Sequence, residues 1–184
     1  MRKAIKLITV ILILSMVLVG CSSGNDKGSS NDEVTGERKL KDTIVLAHWE
    51  EPATLDPQAS NKVSYFLVQE QIFNYLVHED TEGNYSEQLA TSWEYLDDLT
   101  LRFNLRDDVF FHNGEKFVAD DVKYTIERAV ANPISTSIFK YFDAEGTTVV
   151  DENTIDVKFK VPYAGALNVL ASWRGAIVNK NTVE

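Results

Sequence analysis

Three histidines, one cysteine and a pair of adjacent acids are the obvious candidates for chemistry in this 184-residue chain. His48, His78 and His112 stand far apart in sequence. None falls in the HExxH or His-x-His spacing that sets two imidazoles on one metal ion. His112 lies in a turn, where hydrogen bonding is the simplest role. Glu50 and Glu51 have the types needed for acid–base work or for holding a cation, but nothing in the sequence places a third group beside them, and a solvated loop accounts for both. Cys21 is the single cysteine, so an internal disulfide and a cysteine-rich zinc site are both excluded. No GxSxG, Walker loop or GxGxxG occurs. No catalytic residue, metal site or cofactor is indicated, and binding is the default role.

Composition narrows the choice of partner. The formal net charge is -10, and it is three units more negative without Arg2, Lys3 and Lys6 at the extreme N-terminus. That sign is wrong for a nucleic-acid surface or for adhesion to anionic lipid. The apolar fraction of 44% is enough for one packed domain.

The N-terminal residues read as an export signal. After the basic start, Leu7 to Val19 is apolar apart from Thr9 and Ser15. As a helix this run spans about 20 Å, short of a hydrocarbon core of about 30 Å, so it is a signal peptide rather than a membrane span. Leu18-Val19-Gly20-Cys21 resembles the bacterial lipobox. That resemblance implies cleavage after residue 20 and lipidation of Cys21; the alternative is a free cysteine behind an ordinary signal peptide. Residues 1–20 are therefore expected as a lipoprotein signal peptide. Residues 21–41, built of Ser, Gly, Asn and balanced charges, are expected as a disordered tether with a reach of roughly 25 Å.

Periodicity predicts the ordered part. Ile44 to Trp49 is apolar on both faces, as in a central strand, and Glu50 to Pro57 ends it. Val63 to Leu76 predicts a helix, with Tyr65, Phe66 and Phe73 as core. Leu76 to His78 follows as a short strand turned at Gly83-Asn84. Leu99, Leu101, Phe103 and Leu105 alternate with polar residues, which predicts a strand with one buried face. Trp93 and Tyr95 alternate across Asp97-Asp98, making a hairpin. Val109 to His112 is a third short strand stopped by Asn113-Gly114. Val122, Ile126, Ala129 and Val130 recur at helical spacing from Ala119, with Asp120 and Asp121 at the positive end of the dipole and Pro133 closing the helix. Ser135 to Phe142 is a short helix or loop. Thr147–Val150 and Thr154–Phe159 form a hairpin. Pro162 opens a helix, Tyr163 to Ala171, with Leu167 and Leu170 buried. A link, Ser172 to Gly175, leads to a strand, Ala176 to Asn179.

The order of residues says more than their periods. Leu89-Ala90, Ser92-Trp93-Glu94, Phe103, Leu105-Arg106, Val109, Phe111-His112, Gly114, Ala119-Asp120-Asp121-Val122 and Glu127-Arg128-Ala129 occur in one series. This series resembles the signature of the extracellular solute-binding proteins, family 5, which serve oligopeptide, dipeptide and nickel ABC importers. One departure is Val118, where the family usually has Ser or Thr. Valine cannot cap the helix, at a cost of about 1 kcal/mol.

The resemblance implies an α/β (α+β mixed) fold: the first lobe of a type II-like two-lobed periplasmic-binding-protein fold, with an inserted subdomain of mixed sheet and helices. Residues 42–62 would be the first strand and loop of the ligand-binding lobe, 63–175 the inserted small subdomain, and 176–184 a return strand. The second lobe is absent, which implies a fragment or a truncated gene. The implied partners are a peptide or similar small solute, the ABC permease subunits, and the membrane through the anchor at Cys21, with no nucleic acid. The expected location is extracytoplasmic. The ligand-binding residues implied by the alignment lie in two loops: Asn61, Lys62 and Val63, then Trp173 and Arg174. Trp173 would cover a ligand and Arg174 would meet a carboxylate; alternatively the Trp closes the subdomain and the Arg is solvated. A rival reading of the whole chain is a surface lipoprotein acting as an interaction or adhesion module without transport.

Overall fold

The computed structural model describes residues 43–182. The signal peptide, Cys21 and the whole tether lie outside these residues. Two units are distinguished, 1–46 and 47–184. In the first, residues 43–46 carry no secondary structure, and Ile44, Val45 and Leu46 are exposed.

The second unit holds the sheets. A helix α1 (Val63–Gln69) precedes a two-stranded antiparallel hairpin of β1 (Val77–Glu79) and β2 (Tyr85–Glu87). Then come β3 (Ala90–Asp97), β4 (Thr100–Leu105), α2 (Ala119–Ala131), a single turn α3 (Thr136–Phe139), β5 (Phe142–Asp151), β6 (Thr154–Phe159) and α4 (Ala166–Ala171). A 3-10 turn at Trp173–Gly175 follows. The second sheet has the order β3-β4-β6-β5.

Period-two patterning decides which face is buried. Leu101, Phe103 and Leu105 of β4 and Ile155, Val157 and Phe159 of β6 are all buried on one side of this sheet. Val122, Ile126 and Ala129 of α2 join the same core. On the other face Arg102 meets Asp156, its direct cross-strand partner, through two hydrogen bonds of 2.7 and 2.8 Å. At the start of α2, Val118 gives no side-chain cap, and Asp121 makes only the reciprocal contact. Its Oδ2 accepts from the Val118 amide at 3.0 Å, half of a capping box.

Several expectations need correction. The early strand does not form. Ile44 to Trp49 pairs with no strand among the described residues, and Trp49 is exposed. A strand apolar on both faces needs paired neighbours on both edges, and among the described residues it has no such pairing. Helix α1 ends at Gln69, because that side chain is fully buried and turns back to the carbonyls of Asp56 (3.2 Å) and Leu55 (3.4 Å). The segment also carries β-branched and aromatic residues of weak helix propensity. Phe66 and Phe73 are half-buried, whereas Tyr65 is core.

Val109 to His112 makes only one bridge, Phe110 to Lys116. The turn at Gly114, with φ of 87°, reverses the chain too soon for a strand. Strand β5 begins at Phe142 rather than Thr147. A bulge between Asp143 and Thr148 breaks its alternation, and Thr147 Oγ1 ties the bulge by donating to Asp143 O at 2.8 Å. Helix α4 begins at Ala166, since Tyr163 is drawn into an aromatic cluster with Tyr141 (4.9 Å) and Phe142 (6.1 Å). Ala166, Val169 and Leu170 are its buried residues, with Leu167 half-buried. Ala176 to Asn179 is buried but unpaired as a strand. It is held by the Ile177 amide on Asn74 O (3.0 Å) and the Val178 amide on Thr125 Oγ1 (3.2 Å). The sheet expected as mixed is antiparallel at every described pairing. The reason is local: β6 leaves β5 by a short hairpin and slots between β5 and β4.

Candidate functional site

The fold brings together the two loops that the resemblance singles out. The first begins as a ladder of turns. The Asp56 amide donates to Thr54 Oγ1 at 3.1 Å, and the Gln58 amide to Asp56 Oδ1 at 2.9 Å. Pro57, Gln58 and Ser60 are buried, whereas Asn61, Lys62 and Val63 emerge exposed, Val63 at 74%. Lys62 pairs with Glu50, which also accepts from Ser64 Oγ at 2.7 Å. The Lys62 hydrogen bond, then that of Ser64, draws the Glu50 carboxyl below its usual range. Glu50 therefore stays ionised as a tie between chain segments, a poor general acid. Glu51 is exposed.

The second loop is built by close packing. Ser172 Oγ donates to Val169 O at 2.7 Å, and the Gly175 amide donates to Ser172 O at 2.7 Å. A Cβ on Gly175 would stand 2.6 Å from Val169 O and 2.9 Å from Leu170 Cα. Only glycine permits the turn to lie this tightly on α4, and that approach sets the direction of Trp173 and Arg174. The Arg174 guanidinium stacks 4.1 Å from the centre of the Trp173 ring and donates through Nη2 to Asn61 Oδ1. Asn61 and Arg174 thus join the two loops across 113 residues of sequence.

Arg174 is incompletely used. Its Nε is buried without a hydrogen-bond partner, and among the described residues it makes no ion pair with a carboxylate. Burial lowers its affinity for a proton. A planar cation with donors to spare, backed by an indole and oriented by an amide, suits a carboxylate or a carbonyl oxygen. Lys62 is neutralised by Glu50, and its Nζ lies 5.3 Å from the centre of the Tyr65 ring. Val63 offers an exposed apolar side chain.

His112 is exposed on the rim of a different feature. That feature is an apolar groove of about 520 Å³ lined by Phe73, Val109, Phe110, Phe111, Phe117 and Ile177 among others. None of Asn61, Lys62, Val63, Trp173 and Arg174 lines it. Cys21 lies outside the described residues.

Sequence reasoning missed the support beneath the first loop. Arg128 of α2 pairs with Asp56, donating to Oδ1 at 2.9 Å and also to Oδ2, and reaches Gln58 Oε1 at 2.8 Å. Burial by itself raises the Asp56 carboxyl. The Arg128 hydrogen bonds, the Gln58 amide and the Arg128 charge together outweigh that and leave it below its usual range. The only signal was that Asp56 and Arg128 each fall in a conspicuous run, Leu55-Asp56-Pro57 and Glu127-Arg128-Ala129.

Residues 84–184 match the model for the bacterial extracellular solute-binding proteins, family 5 Middle. The periplasmic murein peptide-binding protein MppA of Escherichia coli is 27% identical over 163 residues, covering 78% of this chain and 30% of its own. The oligopeptide-binding protein OppA of Bacillus subtilis is 30% identical over 142 residues, covering 77% of this chain and 26% of its own. Among solved structures, NikZ of Campylobacter jejuni in complex with Ni(L-His) is 29% identical with a TM-score of 0.65, covering 78% of this chain and 29% of that one. The chain thus spans about 30% of the length of such relatives, and its fold is a partial lobe of the periplasmic-binding-protein type.

Proposed function

The chain belongs to the bacterial extracellular solute-binding proteins of family 5, and from that membership we propose that it serves an ABC importer by capturing peptides outside the membrane. Residues 42–62 and 176–184 are assigned to the ligand-binding lobe and 63–175 to a small subdomain inserted in it. Asn61, Lys62, Val63, Trp173 and Arg174 form one wall of the ligand site. The observation that carries this reading is Arg174, aimed by Asn61 and stacked on Trp173 yet without a carboxylate partner among the described residues. It meets a carboxylate or main-chain carbonyl of an extended peptide. Recognition through the main chain tolerates varied side chains. The loaded protein hands its ligand to the permease.

The test is uptake by the organism that carries the gene. Deleting the gene is expected to lower import of a labelled mixture of short peptides. Restoring it with Arg174→Ala recovers about a tenth of the import restored by the natural gene, the loss expected for a charge-assisted contact. Import unaffected by deletion would overturn the importer reading. Full recovery with Arg174→Ala would remove Arg174 from the wall.

Membrane attachment belongs to the same proposal. The lipobox-like run before Cys21 supports a diacylglycerol anchor, and two acyl chains hold a protein stably where one does not. Cys21→Ala is expected to move the protein from the membrane fraction to the soluble extracytoplasmic fraction. Unchanged fractionation rules out that anchor.

A further inference from the structure

One turn of α2 holds both loops. Arg128 takes Asp56 and Gln58 from above. Thr125, one turn earlier, accepts Gln58 Nε2 at its carbonyl (3.1 Å) and the Val178 amide at Oγ1 (3.2 Å). Gln58 is fully buried, and its own carbonyl accepts from the buried Ser135 Oγ at 3.2 Å. Gln69 Nε2 reaches Asp56 O from the other side. The first loop reaches Asn61 three residues beyond Gln58. The second loop leaves Arg174 and meets Thr125 four residues later. Both loops are thus referred to Thr125, the first through its carbonyl and the second through its hydroxyl, and the first is tied to Arg128 as well.

We propose that Asp56, Gln58, Thr125 and Arg128 act as positioning residues that keep Asn61 in place to aim Arg174. The proposal rests on the reading of Arg174 as part of a ligand wall, but its claim concerns where Arg174 is held. Burying a bidentate ion pair is a poor source of stability compared with apolar packing. It is, however, a strong source of direction, since the fork geometry of arginine admits few alternative poses. A loop tied by a planar pair has little freedom to pass on to Asn61.

The experiment follows the Arg174 Nε–H signal in the 15N-labelled full chain, identified by its loss in Arg174→Lys. Asp56→Asn is expected to speed hydrogen exchange at the buried Arg174 Nε by about fivefold, the scale of losing the one hydrogen bond, Nη2 to Asn61 Oδ1, that holds the guanidinium in place. Amide exchange in β4 and β6 is followed alongside, since it reports the accompanying loss of global stability. Arg128→Lys, which keeps the charge and loses the fork, is expected to move the same signal in the same direction, and it decides the matter should Asp56→Asn unfold. In an Asn61→Ala background, where the aiming contact is already gone, neither change should speed Arg174 further. A merely structural pair would speed Arg174 equally with and without Asn61. That result, or an Arg174 signal that does not move, overturns the proposal. None of these outcomes depends on a ligand, so a failure of the importer reading is seen separately, in uptake.

Discussion

Phe142→Ala is expected to lower the free energy of unfolding by about 4 kcal/mol, measured by denaturant titration at neutral pH. Phe142 opens β5 with no exposed surface. Its ring lies 4.8 Å from Phe139, 5.1 Å from Phe159 and 6.1 Å from Tyr163, centre to centre. Truncation would remove a shared wall from three elements: α3, β6 and the approach to α4. The cavity cannot close by a shift of backbone, because Phe142 is paired in register with Phe159. Each lost aromatic contact also adds about 1 kcal/mol beyond burial. The slope of the titration should not change, since the unfolded chain exposes the same surface. Phe110→Ala provides the contrast. That ring is 64% exposed, and its removal should change stability by less than about 0.5 kcal/mol. A loss below about 1 kcal/mol for Phe142→Ala would mean the cluster is not the anchor of this end of the sheet. The loss has a functional side: Tyr163 leads into α4, and α4 is the bed on which the Trp173–Gly175 turn lies. With a total stability of about 5–15 kcal/mol for an ordinary domain, such a variant would be depleted in the cell before its ligand wall was tested.

Elements with an unbroken period were legible in the sequence; elements shaped by contacts between distant segments were not. Strands β4 and β6 alternate cleanly because one face is core and the other solvent. Helix α2 shows both its apolar stripe and its acidic first turn. Strand β5 was half hidden, because the Asp143–Thr148 bulge interrupts the alternation that identifies a strand. Strand β2, three residues with polar neighbours, is too short to show any period. The run Ile44 to Trp49 reads as a strand from its apolarity and from the resemblance, but apolarity reports a preference for burial, not for pairing. The two loops came from the resemblance, which orders residues that periodicity cannot relate. The means of holding them did not: Asp56 and Arg128 are 72 residues apart, and nothing in local spacing announces that they meet. The same is true of Gly175, whose need for close approach is set by the carbonyl of Val169 and the backbone of Leu170.

That hidden pair also contributes to stability, and the direction of its pH dependence follows from its charges. Asp56→Asn keeps the shape of the side chain and an acceptor for the Gln58 amide but removes the charge facing Arg128. Both side chains are largely buried, at 25% and 20% exposure. Stripping the counter-charge from a guanidinium in that setting is expected to cost about 2 kcal/mol at pH 7. The folded state holds the Asp56 carboxyl below its ordinary value of about 4. Its contribution is therefore complete above that value and is lost as pH falls through the lower folded value. The gap between natural protein and variant should be constant near neutrality and should close in acid. The difference, rather than the profile of the natural protein alone, is the readout, because Asp121 works in the opposite sense. Burial, outweighing the Lys180 and Val118 amides, raises the Asp121 carboxyl. Its ionisation therefore removes stability as pH rises from the ordinary range toward its raised value. Asp108→Asn, which breaks the exposed pair with Arg106, should leave stability unchanged across the range, since solvent screens that pair. A gap that persists undiminished at pH 2.5, a point chosen to lie below the ordinary carboxylate range of about 4, would show that Asp56 acts through shape and not through charge.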